Sequence, residues 1–209
     1  LQELRYGRST VSGLSLQGNL QKSIAKVNLS SDTKLLQMDA NLVALIQKNQ
    51  MKADLSMNVR HIDLKGLGLL PRSLKKPTPF TLNASTEKDN TSLELHSGDL
   101  SLSLISTAPL MKFIKEATNF SSLLSQQIQK KKLNQQELSR SMPSVKVAFS
   151  AGKKNPLSEY LALSNISYHD ASFNLVSSQT KGLQGDVSLH SFVADSLQLD
   201  TIRLAIQQD

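Results

Sequence analysis

The sequence predicts a mainly β protein: one long antiparallel sheet with a helical insertion. Three observations lead to this fold class. Apolar and polar residues alternate over most of the chain, which is the period of a strand with one face turned away from water. The links between the alternating stretches are short and polar, which favours antiparallel neighbours. The segment 109–128 instead follows the 3.6-residue period of an amphipathic helix.

The first half of the chain alternates most regularly. Four long strands are predicted at about 10–20, 23–30, 33–47 and 50–64. Their apolar positions are almost purely aliphatic, and no acid, base or nucleophile interrupts them. The sequence therefore predicts a sheet with one continuous apolar face.

Shorter strands follow this meander. The stretch 66–71 breaks the alternation and predicts an apolar turn or helical plug. Alternation resumes around Leu82, and Leu93 and Leu102 lie in the next alternating stretch. Gly98 interrupts that stretch and predicts a β-bulge within it.

The sequence of the helical insertion predicts two helices. The first begins near Pro109, a favoured first-turn residue, and the second runs from an Asn134 cap to Met142. Either the first helix covers the apolar face of the sheet as core, or it acts as a lid. The lid hypothesis assigns this role to four apolar residues of its stripe, Phe113, Ile114, Phe120 and Leu124.

The second half returns to strands. After a strand at 145–151 and a short helix at 156–163, three strands are predicted at 164–177, 182–193 and 197–207. No linker divides the chain, so we expect one segment, 1–209. It comprises a first β half at 10–105, an insertion at 106–143 and a second β half at 144–209.

Composition narrows the function classes. The net charge is +7, but the lysines and arginines are spread thinly, and the only basic run is Lys130 to Lys132. Aromatic residues make up 4% of the chain, so the stacking sites and basic stripe of a nucleic-acid module are not predicted. Cysteine is absent, which removes disulfides and thiol chemistry. The chain begins with Leu1 and shows no signal or spanning segment, so we expect a piece of a longer protein.

No catalytic or metal-binding constellation is predicted. The four histidines, His61, His96, His169 and His190, are far apart and lack helical spacing to another ligand. Carboxylates fall mainly on polar faces or in turns. We therefore expect no enzyme activity, no metal and no cofactor.

The order of these elements resembles the AsmA-like proteins, and within them the TamB-type translocation and assembly proteins of Gram-negative envelopes, especially those of Bacteroidetes. The resemblance spans about 10–207. The stretches that carry it are 61–71, 97–100, 142–152, 155–157, 182–185 and 197–206.

The resemblance implies a sheet curled into a U-shaped groove, called a β-taco, with an aliphatic lining. It implies an internal periplasmic segment whose full-length parent is anchored in the inner membrane and conducts phospholipid towards the outer membrane. Support of outer-membrane protein assembly and an outer-membrane barrel partner of the TamA type are also implied, through parts of the protein not present here.

Our hypothesis is a non-enzymatic, lipid-conducting segment whose partners are phospholipid acyl chains. Residues on the apolar side of the strands are assigned to the lipid groove: Leu14, Leu16, Met38, Leu42, Met57, Val59, Leu82, Leu102, Leu104, Val147, Phe149, Phe173, Leu175, Leu189, Leu199 and Leu204. The leading alternative is a structural or adhesive β-sandwich, in which the same faces bury one another. A third possibility is a chaperone-like trough that pairs unfolded strands with its sheet edges.

Overall fold

The computed structural model describes residues 3–6, 9–47, 50–74 and 78–207. Its strands, in chain order, are β1 (Glu3–Tyr6), β2 (Ser9–Ser12), β3 (Leu14–Gln21), β4 (Ile24–Asp32), β5 (Leu36–Gln47), β6 (Gln50–Ile62), β7 (Phe80–Glu87), β8 (Asn90–Ser97), β9 (Leu100–Ser106), β10 (Val145–Ala151), β11 (Ile166–Ser167), β12 (Asp170–Ser178), β13 (Gly182–Ala194) and β14 (Leu197–Gln207). Its helices are α1 (Leu110–Gln129), α2 (Gln135–Ser141) and α3 (Pro156–Ala162).

One antiparallel sheet of 12 strands dominates the molecule. From β3 to β10 each strand pairs with the next one in the chain, then β12, β13 and β14 follow in order. The short β11 also pairs with β13, while β1 and β2 form a separate pair. The prediction of a mainly β, antiparallel sheet is confirmed, and α1 and α2 lie between β9 and β10.

Three details differ from the sequence-based expectation. The strand predicted at 10–20 is divided at Gly13, whose φ of 71° interrupts the extended backbone. The strand predicted at 164–177 is likewise divided, because only 166–167 and 170–178 are paired.

The third difference concerns Gly98, where the predicted bulge is wrong. β8 ends at Ser97 and β9 begins at Leu100, and these two residues pair with each other. Gly98 and Asp99 therefore form a two-residue hairpin turn, and the φ of 62° at Gly98 is typical of such turns. One alternating stretch in the sequence is thus two neighbouring strands.

The segment predicted as an apolar turn is a series of hydrogen-bonded turns. Asp63 accepts two hydrogen bonds at the start of this segment. Leu67 N donates to its main-chain oxygen and Gly66 N donates to its side-chain Oδ1, both at 2.9 Å. Leu67 is buried. The segment continues directly from the end of β6.

The sheet leaves much of its surface in contact with solvent. The solvent-accessible area is 14285 Å² for a chain of 22.9 kDa. A closely packed monomer of this mass has about 9,600 Å². Val59 is the largest apolar side chain that is completely buried, at 1% exposure. The chain is therefore an extended sheet with little enclosed core among its described residues.

The helical insertion is tied at both ends to one side of the sheet. Thr91 Oγ1 donates a hydrogen bond to Ala108 O at 2.9 Å, just before α1 begins. Ser106 Oγ donates to Ser144 O at 2.9 Å, where the chain returns to β10. Thr91 and Ser106 pair across β8 and β9, and both are buried. The insertion therefore covers this end of the two strands.

The other end of β8 and β9 is tied to the segment before α3. Asp99 accepts hydrogen bonds from Lys154 N at 2.9 Å and from Asn155 Nδ2 at 2.7 Å. Partial burial acts to raise the pKa of Asp99, but these hydrogen bonds outweigh it and hold the pKa below its usual value. Asn155 also caps α3 by accepting from Ser158 N at 2.9 Å. One buried amide thus joins the hairpin turn to the start of α3.

Candidate functional site

The strand registers bring the apolar side chains together in rows that cross the sheet. Residues paired across antiparallel strands share a face, so the pairings can be followed from β3 to β14. Two adjacent rows, here called the middle rows, receive one residue each from every strand of the main sheet except β11. The first contains Leu16, Leu29, Ala40, Met57, Leu82, Leu95, Leu102, Phe149, Phe173, Val187 and Leu204. The second contains Gly18, Val27, Leu42, Leu55, Ala84, Leu93, Leu104, Val147, Leu175, Gly185 and Ile206.

The middle rows contain no polar or charged side chain from one edge of the sheet to the other. At roughly 4.8 Å between neighbouring strands, each row is about 50 Å long. Near the centre, the rings of Phe149 and Phe173 stack with centroids 5.0 Å apart and planes inclined by 16°. The chemistry that this surface offers is therefore apolar contact alone.

The middle rows are half-buried or exposed, and none of their residues is buried. Their ends at the two edge strands are the most open, since Leu16 is 45% exposed and Leu204 is 56% exposed. Most side chains that alternate with them on the other face, such as Ser101 and Asn41, are polar, with Val43, Ile105 and Val176 as exceptions. The two faces of the sheet thus differ sharply in chemistry.

Buried residues of the sheet lie instead in the rows on either side, here called the end rows. One end row includes Met38, Val59, Ser97 and Ala151, and the other includes Ala44, Ala53, Thr86, Thr91 and Ser106, all buried. Hydroxyl groups of the second end row form the hydrogen bonds that hold the two ends of the insertion. The apolar face is therefore enclosed at the ends of its strands and open along its middle.

Most of the predicted groove residues fall on this apolar face. Those in the first middle row are Leu16, Met57, Leu82, Leu102, Phe149, Phe173 and Leu204; those in the second are Leu42, Leu104, Val147 and Leu175. Leu14, Met38, Val59 and Leu189 lie in the first end row, next to the first middle row. The alternation of the sequence thus grouped these residues by face.

Leu199 is the exception. It pairs with Phe192, beyond an irregularity at Ser191 where φ is 49°. Along β14 it shares a face with Thr201 and Arg203, two and four residues further on, and therefore lies on the opposite face from Leu204. The structure therefore separates Leu199 from the other predicted groove residues.

The predicted lid residues lie on α1 at different exposures. Phe113, Phe120 and Leu124 are half-buried, whereas Ile114 is exposed. Leu110 N donates to Thr86 Oγ1 at 3.3 Å, which fixes the first turn of the helix over the second end row. α1 therefore begins on the apolar side of the sheet, at the margin of the middle rows.

Several middle-row residues were not among the predicted groove residues. They include Leu29, Leu55, Leu93, Leu95 and Val187. All follow the same alternation in the sequence. The sequence does not reveal the register of the strands. The register decides which residues of neighbouring strands lie opposite each other and so form one row.

A depression in the surface lies on the polar face of β5 to β8. It has a volume of about 590 Å³ and a lining that includes Asn41, Asp54, Asn83 and Glu94. The rest of its lining combines serine hydroxyls with the apolar side chains of Val43, Leu55 and Ala84.

Folding brings two of the four histidines together. Asp170 accepts from His190 Nδ1 at 2.5 Å and from His169 Nδ1 at 2.9 Å. These two hydrogen bonds hold the pKa of Asp170 below its usual value, and the bond from His190 has the larger effect. Within the described ranges, no group of three or more histidines, cysteines or carboxylates has the arrangement of a metal site.

No helix in the described part of the chain combines the length and hydropathy needed to cross a membrane. Comparisons with protein-family models, curated proteins and solved structures found no match. The resemblance to AsmA-like proteins therefore stays a prediction.

Proposed function

We propose that the two middle rows bind phospholipid acyl chains, and that this chain is a non-enzymatic segment of a bridge that conducts phospholipid between two membranes. One observation carries the proposal. The middle rows are apolar at every position across the sheet, yet none of their residues is buried. An apolar surface of this length needs a cover, and its uniform chemistry suits a hydrocarbon chain.

The energetics of transfer favour such a ligand. Each acyl methylene removed from water contributes about 0.8 kcal/mol. A lipid tail therefore cannot cross an aqueous compartment without a shield. Because the contacts are similar at every step along the rows, no single position holds the tail much more tightly than the next. Movement along the surface then meets only small barriers.

The proposal includes a curled sheet that shelters the rows. Middle-row side chains such as Leu82 and Leu95 are half-buried, whereas Thr81 and Glu94, beside them on the other face, are exposed. A right-handed twist accumulates across large sheets, and curling towards the apolar face shelters that face without a second layer. The covered end rows would then form the two walls of a groove.

The cellular setting follows from the predicted resemblance. We place the chain in the periplasm, within a longer protein anchored in the inner membrane, with its groove continuous towards the outer membrane. Contact with an outer-membrane barrel of the TamA type, and support of outer-membrane protein assembly, are further parts of that resemblance. They concern regions outside this chain.

Native mass spectrometry tests the acyl-chain proposal against the closed β-sandwich. The protein is incubated with dioleoylphosphatidylethanolamine vesicles, separated from them by gel filtration and sprayed from a volatile buffer. We expect peaks at the mass of the protein plus one or more phospholipids, because the middle rows remain open. Glycerophosphoethanolamine, which has the headgroup without acyl chains, should add no mass. Recovery of the bare protein alone would favour a closed core and reject the proposal.

A further inference from the structure

The turn between α1 and α2 carries the only run of three consecutive lysines or arginines in the sequence. We call residues 128–133 the tip. Ile128 and Leu133 are its first and last residues and are 60% and 66% exposed. The lysines Lys130 to Lys132 between them are exposed as well. Large apolar side chains and a run of lysines thus share one short turn. The first turns of α1 also expose apolar and basic side chains, among them Met111, Lys112 and Ile114, but they contain no run of lysines.

The structure holds this turn in a defined shape. Gln127 is buried, and its side chain accepts from Asn134 N at 2.7 Å and donates to Glu137 Oε2 at 2.9 Å. Main-chain bonds from Lys131 N to Ile128 O at 3.0 Å and from Lys132 N to Gln127 O at 3.1 Å close the turn. The exposed apolar side chains are therefore presented by an ordered turn with its own internal hydrogen bonds.

The tip is far from the place where α1 meets the sheet. α1 has 20 residues, so at 1.5 Å per residue it is about 30 Å long. Its first residue is bonded to Thr86 in the second end row. The tip therefore lies at the opposite end of α1 from the bond that fixes its first turn beside the middle rows.

Charge identifies the kind of partner. From 107 to 144 the chain contains five lysines and one arginine against two glutamates, a formal net charge of +4. Glu116 is paired with Lys112, and Glu137 accepts from Gln127. In the described structure, no carboxylate forms an ion pair with any of the tip lysines. The tip thus offers uncompensated positive charge next to exposed aliphatic side chains.

We propose that the tip docks on the surface of an anionic phospholipid bilayer. Ile128 and Leu133 would enter the boundary between headgroups and acyl chains, while Lys130 to Lys132 contact anionic headgroups. Apolar insertion combined with basic residues is the arrangement that holds peripheral segments at such a surface. This docking is independent of acyl-chain binding by the middle rows, because it uses no residue of the sheet.

Vesicle flotation tests the proposal on the whole chain. Vesicles of phosphatidylcholine with 30 mol% phosphatidylglycerol are compared with vesicles of phosphatidylcholine alone. We expect the unsubstituted protein to float with the anionic vesicles, less so as salt increases. The variant Lys130→Gln/Lys131→Gln/Lys132→Gln should lose about a hundredfold in partition coefficient, since each lysine near an anionic surface contributes about fivefold. The control Lys22→Gln/Lys26→Gln/Lys34→Gln removes the same charge from exposed positions of the sheet region and should retain most of the binding.

The entry of the apolar side chains into the bilayer is tested separately from charge. The chain has no cysteine, so Leu133→Cys accepts a single environment-sensitive fluorophore. Its emission should shift to the blue with anionic vesicles, and Ile128→Ser/Leu133→Ser should weaken binding at unchanged charge. Failure of the unsubstituted protein to float, equal loss in the tip and control variants, or unchanged binding of the serine variant would each overturn the proposal. Native mass spectrometry of the tip variant should still show bound phospholipid, so failure here and failure of the acyl-chain proposal are distinguishable.

Discussion

Replacing Leu102 with glutamate should reduce phospholipid retention at least about tenfold. Leu102 lies in the first middle row, between Leu95 on β8 and Phe149 on β10. A bound acyl chain would have to remove water from the new carboxylate, which costs several kcal/mol without a hydrogen-bond partner. Each 1.4 kcal/mol is a factor of ten in affinity. The measurement is the fraction of protein that carries phospholipid in native mass spectra.

The neighbouring residue supplies a matched control. Ser101→Glu introduces the same charge one position away, on the polar face between His96 and Ser150. It should leave phospholipid retention within about twofold of the unsubstituted protein. Leu204→Glu repeats the test at the open end of the row, where the leucine is already exposed and folding is little affected. Equal retention in the Leu102 and Ser101 variants would contradict the assignment of the faces.

Replacing Gly98 with alanine should destabilise the protein by about 2–4 kcal/mol. Gly98 has a φ of 62°, a conformation that L side chains rarely adopt. A Cβ built there would also lie 1.9 Å from the main-chain oxygen of Lys154. The hairpin turn would have to move away from the segment that Asp99 and Asn155 connect to it. Urea denaturation should show a lower midpoint.

Gly18→Ala is the control for this substitution. Gly18 lies within β3, and a Cβ there would be 3.9 Å from its nearest neighbour, Lys26 O, which is ordinary contact. Alanine in a strand interior is neutral or slightly stabilising relative to glycine, by about 0.5 kcal/mol. A midpoint unchanged by Gly98→Ala, or lowered equally by both variants, would show that the turn tolerates a side chain.

The faces of the strands were predictable from the sequence because side chains alternate with a period of two. Leu102 and Ser101, or Leu42 and Asn41, were assigned to opposite faces from this rule alone. Leu199 was misplaced because its assignment departed from this rule: it lies five residues before Leu204, and an odd spacing places two residues on opposite faces of a regular strand. Alternation is local information, and it succeeds where the local backbone is regular.

The rows themselves could not be predicted, because they depend on register. Leu95 and Leu102 both alternate correctly, but only the two-residue turn at Gly98 places them opposite each other. The sequence shows a glycine in an alternating stretch, which fits a bulge as well as a turn. The hydroxyl groups of Thr86, Thr91 and Ser106 interrupt the aliphatic pattern at one end of the strands. Their role became clear only when the structure placed the insertion against them.

Photo-crosslinking in living cells tests the central claim most directly. A photo-reactive amino acid is placed at Leu42 or Leu102 in the middle rows, and at Asn41 or Ser101 on the polar face. If the middle rows hold acyl chains, irradiation should attach phospholipid at the two leucine positions and not at the two polar ones. Adducts that appear only at Asn41 and Ser101, or at none of the four positions in a folded protein, would contradict the account.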